Sequence, residues 1–119
     1  MFRALFGGQS ATPPTATITA PELKRRLDAG EKIYLLDVRS SEEYAHDGHI
    51  AGSHLLPLPM LSLRLEELPK DAPIVCVCRS GNRSGVAAEQ LARQGFSDVI
   101  NLTSGMMGWA RAGLPMKRG

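Results

Sequence analysis

Apolar positions along the chain fall into two patterns, short unbroken runs of strand length and repeats at helical spacing. Ile33-Tyr34-Leu35-Leu36-Asp37-Val38 and Ile74-Val75-Cys76-Val77-Cys78 are nearly continuous apolar runs. A strand without polar alternation is one covered on both faces, as in a parallel sheet between helices. Leu55-Leu56 before Pro57, and Asp98-Val99-Ile100-Asn101-Leu102, read as two further strands. Thr19-Ala20-Pro21-Glu22 reads as a capping box with proline in the first turn, and Leu23 and Leu27 recur four apart before Gly30, which predicts a helix over about 20–29. Ser40 and Ser41 offer N-caps for a short helix through Glu42-Glu43-Tyr44-Ala45-His46 that Asp47-Gly48 stops. Met60, Leu61, Leu63, Leu65 and Leu68 predict a further helix ending before Pro69, and Val86 to Ala92 predict another that Gly95 ends. A last helix is expected around Met106, Trp109 and Ala110, closing near Gly113 and Pro115. Strands alternating with helices at this pitch imply a parallel α/β domain.

The length of 119 residues suits one domain. With 43% hydrophobic and 22% charged residues the usage is globular, and an aromatic share of 5% requires a core of Leu, Val, Ile, Ala and Met. Residues 7–14, Gly-Gly-Gln-Ser-Ala-Thr-Pro-Pro, are linker-like, so 1–14 are expected to be a flexible tail and 15–119 the domain. Met1-Phe2-Arg3-Ala4-Leu5-Phe6 is cut off by Gly7-Gly8, too soon for a signal-peptide core or a membrane span. The net charge of +2 comes from scattered Lys and Arg, so neither nucleic acid nor membrane is expected as a partner. Cys76 and Cys78 are too close for a relaxed disulfide, which fits a reducing compartment, and the protein is expected to be cytoplasmic.

The chemistry is expected in Cys78-Arg79-Ser80-Gly81-Asn82-Arg83-Ser84-Gly85, which joins the carboxyl end of a buried strand to the amino end of a helix. Helix N-termini leave amide donors unpaired, and a glycine-containing turn lets them fan around one point where an anion is stabilised. Cys78 sits at that point. The amides, with the charges of Arg79 and Arg83, favour thiolate over thiol, so a lowered pKa and a nucleophilic role are expected for Cys78.

At these residues the chain resembles the rhodanese family, and the single-domain sulfurtransferases in particular. The resemblance is carried by Leu36-Asp37-Val38-Arg39 with Glu43-Tyr44, by Gly48-His49-Ile50-Ala51-Gly52-Ser53-His54 with Leu56-Pro57-Leu58, by Cys78 to Ser84, and by Gly105-Met106-Met107-Gly108-Trp109 with Ala112-Gly113-Leu114-Pro115. It implies a five-stranded parallel sheet of order 1-5-4-2-3 with helices on both faces, and a Cys78 that carries a persulfide. It also implies a substrate cradle of Arg79, Ser80, Gly81, Asn82, Arg83 and Ser84, with no metal or cofactor. Ser104-Gly105 depart from the family, which commonly has paired glycines there.

A thiolate at such a centre can attack the outer sulfur of thiosulfate, and sulfite leaves as a stable anion without a general acid. No Asp, Glu or His lies between Cys78 and Ser84. The terminal sulfur then passes to cyanide, to a small thiol or to a thiol-bearing protein. A cysteine phosphatase or arsenate reductase is the main alternative, but those enzymes have five residues between Cys and Arg, whereas four separate Cys78 from Arg83. Phosphoester cleavage also has to protonate an alkoxide. A non-catalytic sulfur-carrying module is the second alternative. Cys76 reads as a small core residue. His46, His49 and His54 with two cysteines lack the paired spacing of a zinc site, and His49 reads as a packing or hydrogen-bonding residue. Arg39 is expected to pair with Glu42 or Glu43, and Asp37 to accept hydrogen bonds at the strand end.

Overall fold

The apolar runs do become buried strands in a computed structural model of the protein, which describes residues 15–119. The expected flexible tail over 1–14 lies outside the described residues. In chain order the elements are β1 (Ala16–Ile18), α1 (Ala20–Asp28), β2 (Tyr34–Asp37), α2 (Ser41–His46), β3 (His54–Leu55), β4 (Ile74–Val77), α3 (Asn82–Arg93), β5 (Val99–Leu102) and α4 (Gly105–Arg111). All pairings between these strands are parallel, in the order β1-β5-β4-β2-β3. The expected sheet and its order are present.

Alternate residues of a strand face opposite sides, and β4 divides its side chains accordingly. Ile74 and Cys76 pack with Leu36, Val38, Leu61, Ala87, Ala88 and Leu91, under α3. Val75 and Val77 pack with Leu23, Leu35, Ile100, Met106 and Trp109, under α1 and α4. Helices therefore cover both faces. The carboxyl ends of the strands are left for the loops, where open parallel sheets bind ligands.

Two expectations change. Pattern reading found four strands, and the missing one is β1, three residues of which only Ile18 is buried, so it carries almost no apolar signal. The helix expected over Met60 to Leu68 is instead two 3₁₀ segments, Leu58–Leu63 and Leu65–Glu67, separated at Arg64 (φ −133°, ψ 29°). The leucines facing inward are Leu58 and Leu61, then Leu65 and Leu68. Those pairs are three apart, which matches a three-residue turn. No helix among the described residues is long and apolar enough to cross a membrane.

Candidate active site

Cys78 follows the last residue of β4, on the same face of the sheet as Cys76, and is 1% exposed. The chain turns through Arg79 and Ser80 to Gly81, whose φ of 103° lies in the left-handed region open to glycine, and α3 begins at the next residue. That turn brings the Gly81 N–H to 3.0 Å from Cys78 Sγ. One turn into α3, Ser84 is completely buried and its Oγ lies 3.2 Å from the same sulfur.

Burial pushes the Cys78 thiol up, but the Ser84 hydroxyl and the backbone N–H groups of Ser84, Gly81 and Ser80 outweigh it, holding the thiol below its ordinary range. The opposite holds for Cys76. Burial, followed by the neighbouring Cys78, pushes that thiol up to about 12. Of the two cysteines only Cys78 is set up to ionise.

A second helix fixes the loop from its other side. The N–H of Met106 donates to the Cys78 carbonyl (2.8 Å) and that of Met107 to the Arg79 carbonyl (3.0 Å). The approach is so close that a Cβ on Gly105 would collide with the carbonyls of Cys78 and Arg79. Ser104, where the family has glycine, adopts the left-handed backbone itself at φ 63°. The departure in sequence puts a side chain on a residue in the strained left-handed region.

The charged residues are not arranged as expected. Arg83 Nη1 and Nη2 donate to the two carboxylate oxygens of Glu43 at 2.8 and 2.7 Å, so its guanidinium is committed to α2 rather than aimed at the sulfur. Hydrogen bonds from Arg83 hold the Glu43 carboxyl down at about 2, so this carboxylate is no general acid. Arg39 pairs with neither Glu42 nor Glu43. It forms a fully buried pair with Asp37 through Nε (2.9 Å) and Nη2 (2.8 Å), and Nη2 also reaches the Gly48 carbonyl at 2.9 Å. Glu43 also completes a capping box with Ser40, its carboxylate accepting from the Ser40 N–H. The expected box at Thr19 is represented by Thr19 accepting from the Glu22 N–H.

Arg79, Ser80 and Asn82 are exposed around the loop. The loop borders a cleft of about 260 Å³ that includes Arg79, Asp47, Met106 and Met107, and one of about 170 Å³ formed by Ser80, Ser104, Met107 and Arg111. A larger cleft of about 390 Å³, between Leu27, Ile50, Trp109 and Met116, contains none of the loop residues. Volume is therefore no guide to the chemistry. The histidines are dispersed: His49 stacks on Tyr44 (3.7 Å between ring centroids), with Nδ1 2.8 Å from the Tyr44 carbonyl, and His54 stacks on Tyr34. Asn101 was missed in sequence, although a polar residue inside the apolar run of β5 was a signal. Its Oδ1 accepts from Ser84 Oγ at 2.6 Å and its Nδ2 donates to the Gly81 carbonyl at 3.1 Å.

The sequence model of the rhodanese-like domain matches residues 19–112. The chain belongs to the rhodanese-like domain family. A sulfurtransferase of Allochromatium vinosum is 40% identical over 99 residues, covering 83% of this chain and 92% of that protein. The crystal structure of a rhodanese-like domain protein from Staphylococcus aureus, 33% identical, superposes with a TM-score of 0.77 over 87% of this chain and 99% of that one. The thiosulfate sulfurtransferase from Pseudomonas aeruginosa has the same TM-score and identity over 87% of this chain, but the match covers 20% of that longer chain. The rhodanese-like domain thus accounts for nearly all of the described residues.

Proposed function

We propose that the protein is a sulfurtransferase that moves a sulfane sulfur from thiosulfate, or from a persulfide donor, to cyanide or a thiol through a persulfide on Cys78. The observation that carries this reading is the convergence on one buried sulfur of the Gly81 N–H and the Ser84 hydroxyl, with the loop amides lowering the thiol. The family and the relatives named sulfurtransferases support the reaction class, and the neighbour named thiosulfate sulfurtransferase supports the donor.

In the first step the Cys78 thiolate attacks the outer sulfur of thiosulfate. A new S–S bond forms at Cys78, the old one breaks, and sulfite leaves with the electron pair. The charge then rests on the outer persulfide sulfur, facing amide donors already in place. Arg79, exposed beside Met106 and Met107, supplies positive charge at the mouth for an anionic donor. In the second step cyanide or a thiolate attacks the outer sulfur and Cys78 leaves as thiolate, completing a ping-pong cycle. A small-molecule donor and acceptor, or a thiol-bearing protein as acceptor, are the partners this chemistry requires.

The test is intact mass after incubation with thiosulfate, before and after a reductant. One added sulfur atom that the reductant removes, absent in Cys78→Ser and retained in Cys76→Ala, is the expected result. Thiocyanate formation by Cys78→Ser at the wild-type rate would overturn the reading.

A further inference from the structure

Ser84 Oγ lies within hydrogen-bond distance of two groups, Cys78 Sγ at 3.2 Å and Asn101 Oδ1 at 2.6 Å. A hydroxyl has one proton and cannot donate it to both. The far end of the Asn101 amide fixes which way round it lies. Its nitrogen is 3.1 Å from the Gly81 carbonyl, which only accepts, so reversing the amide would set two acceptors against each other. Oδ1 therefore faces Ser84 and requires a donor.

With Cys78 protonated the network is satisfied in one direction. The S–H donates to Ser84 Oγ, the Ser84 hydroxyl to Asn101 Oδ1, and Asn101 Nδ2 to the Gly81 carbonyl. With Cys78 ionised the sulfur becomes an acceptor, so Ser84 must turn its proton to the sulfur and withdraw it from Asn101. A half-buried amide oxygen is then left without that donor, which has a cost. We propose that Asn101 is a positioning residue that competes with the Cys78 sulfur for the single proton of Ser84, so that Ser84 donates to the sulfur only when the sulfur itself carries the charge.

The proposal rests on the sulfur-transfer reading for its place in the cycle. In the persulfide the charge has moved to the outer sulfur, and the Ser84 proton returns to Asn101. When an acceptor takes the outer sulfur, Cys78 leaves as thiolate and the hydroxyl turns back to it. Ser84 keeps its proton throughout and only its orientation changes.

Other charged or titratable groups belong to the elements around this sulfur. Arg83 of α3 lies nearby with its partner Glu43 of α2, Cys76 lies on β4 and the Asp37–Arg39 pair at the carboxyl end of β2, while Arg79 belongs to the loop itself. From α4 the first turn brings Gly105, Met106 and Met107, and Arg111 of its last turn lines the cleft beside Ser80. A substitution at Asn101 leaves all of these charges in place.

The experiment measures the pH profile of Cys78 alkylation by iodoacetamide in the full chain, with the modified cysteine located by peptide mass. Wild type is compared with Asn101→Ala, Asn101→Val, Ser84→Ala and the Ser84→Ala/Asn101→Ala double variant. Ser84→Ala should raise the midpoint. Both Asn101 variants should lower it by about half a pH unit or more, the order that one neutral hydrogen bond supplies, because the Ser84 proton is released to the sulfur. In the Ser84→Ala background the Asn101 substitution should have no effect. If Asn101 merely held the Gly81 loop in place, its removal would loosen the Gly81 N–H and raise the midpoint, and that result would overturn the proposal. An unchanged midpoint, or an equal shift with and without Ser84, would overturn it too. Asn101→Val keeps a strand-favouring side chain in β5 should the alanine variant fail to fold. Alkylation needs no turnover, so the expected shifts in a protein that takes up no sulfur from thiosulfate would leave the proton competition standing and remove the sulfur-transfer reading.

Discussion

Ser104 and Gly105 together steer the turn from β5 into α4, and only one of them is glycine. A Cβ on Gly105 is forbidden by the carbonyls of Cys78 and Arg79, whereas Ser104 holds the left-handed region at φ 63° with a side chain attached. Left-handed backbone costs an L-residue roughly 1–2 kcal/mol, so Ser104→Gly should stabilise the protein by about 1 kcal/mol after the larger chain entropy of glycine is subtracted. Denaturant unfolding should show the gain, with thiol reactivity at Cys78 unchanged; a loss of stability would mean that the Ser104 side chain contributes more than its backbone costs. Gly105→Ala should instead disrupt the loop. The residues of this site were legible in unequal measure. Cys78, Gly81 and Ser84 could be read because a strand, a glycine turn and a helix start are local in sequence, and the amide fan follows from them. The destination of the Arg83 guanidinium could not, because Glu43 lies 40 residues earlier and meets it only through the fold.

The connection from β4 to α3 brings two donors to one sulfur atom. Gly81 places its N–H on Sγ, and the first turn of α3 places Ser84 beneath it. Inserting one glycine after Gly81 would change the turn that aims the Gly81 N–H and move Ser84 away from the sulfur. Removing one aimed donor from such a cradle typically costs about 2.7–4 kcal/mol, so sulfur transfer should fall on the order of a hundredfold or more. Aryl phosphate hydrolysis should stay absent in wild type and insert alike, because Glu43, the carboxylate paired with Arg83, is held ionised. Efficient phosphate hydrolysis by wild type, or unimpaired sulfur transfer by the insert, would show that loop length does not select the chemistry. Elements were legible where they carried an apolar pattern of their own. The strands β2, β4 and β5 did, and so did α1 and α3. β1 is a three-residue edge recognised through its pairing with β5, and the leucines of 58–68 sit at spacings that α-helical and 3₁₀ readings share until the partner surface is known. The short α2 has no fully buried side chain; it is held by its capping box, by the Tyr44 hydroxyl on the Ser53 carbonyl (2.8 Å) and by the ion pair to Arg83.

The sheet joins two cores, and both bear on the same loop: α3 rises from one and α4 from the other. Leu61→Ala on the first face and Leu23→Ala on the second each empty a fully buried position, so each should cost about 2–5 kcal/mol. The two should unfold the molecule as one unit, with single coincident transitions by fluorescence and circular dichroism. Acid should act on the molecule through the link between α2 and α3. Hydrogen bonds from Arg83 hold the folded-state pKa of Glu43 at about 2, well below the ordinary carboxylate value of an unfolded chain. Its contribution is therefore fully present above that ordinary value and is lost as pH falls through about 2. The Arg83 side chain is 40% exposed, so solvent screening reduces the contribution to about 1 kcal/mol. Glu31 and Glu67 are lowered by Arg26 and Arg64 in the same sense, but fully at the surface. Glu43→Gln isolates the term, because glutamine also suits the third position of a capping box and removes only the charge. Urea unfolding between about pH 2 and pH 7 should then find the variant less stable than wild type at neutral pH, with a shallower rise below about pH 5 and convergence of the two curves near the acid end. Parallel curves across the whole range would mean that the Glu43–Arg83 pair does not link protonation to folding.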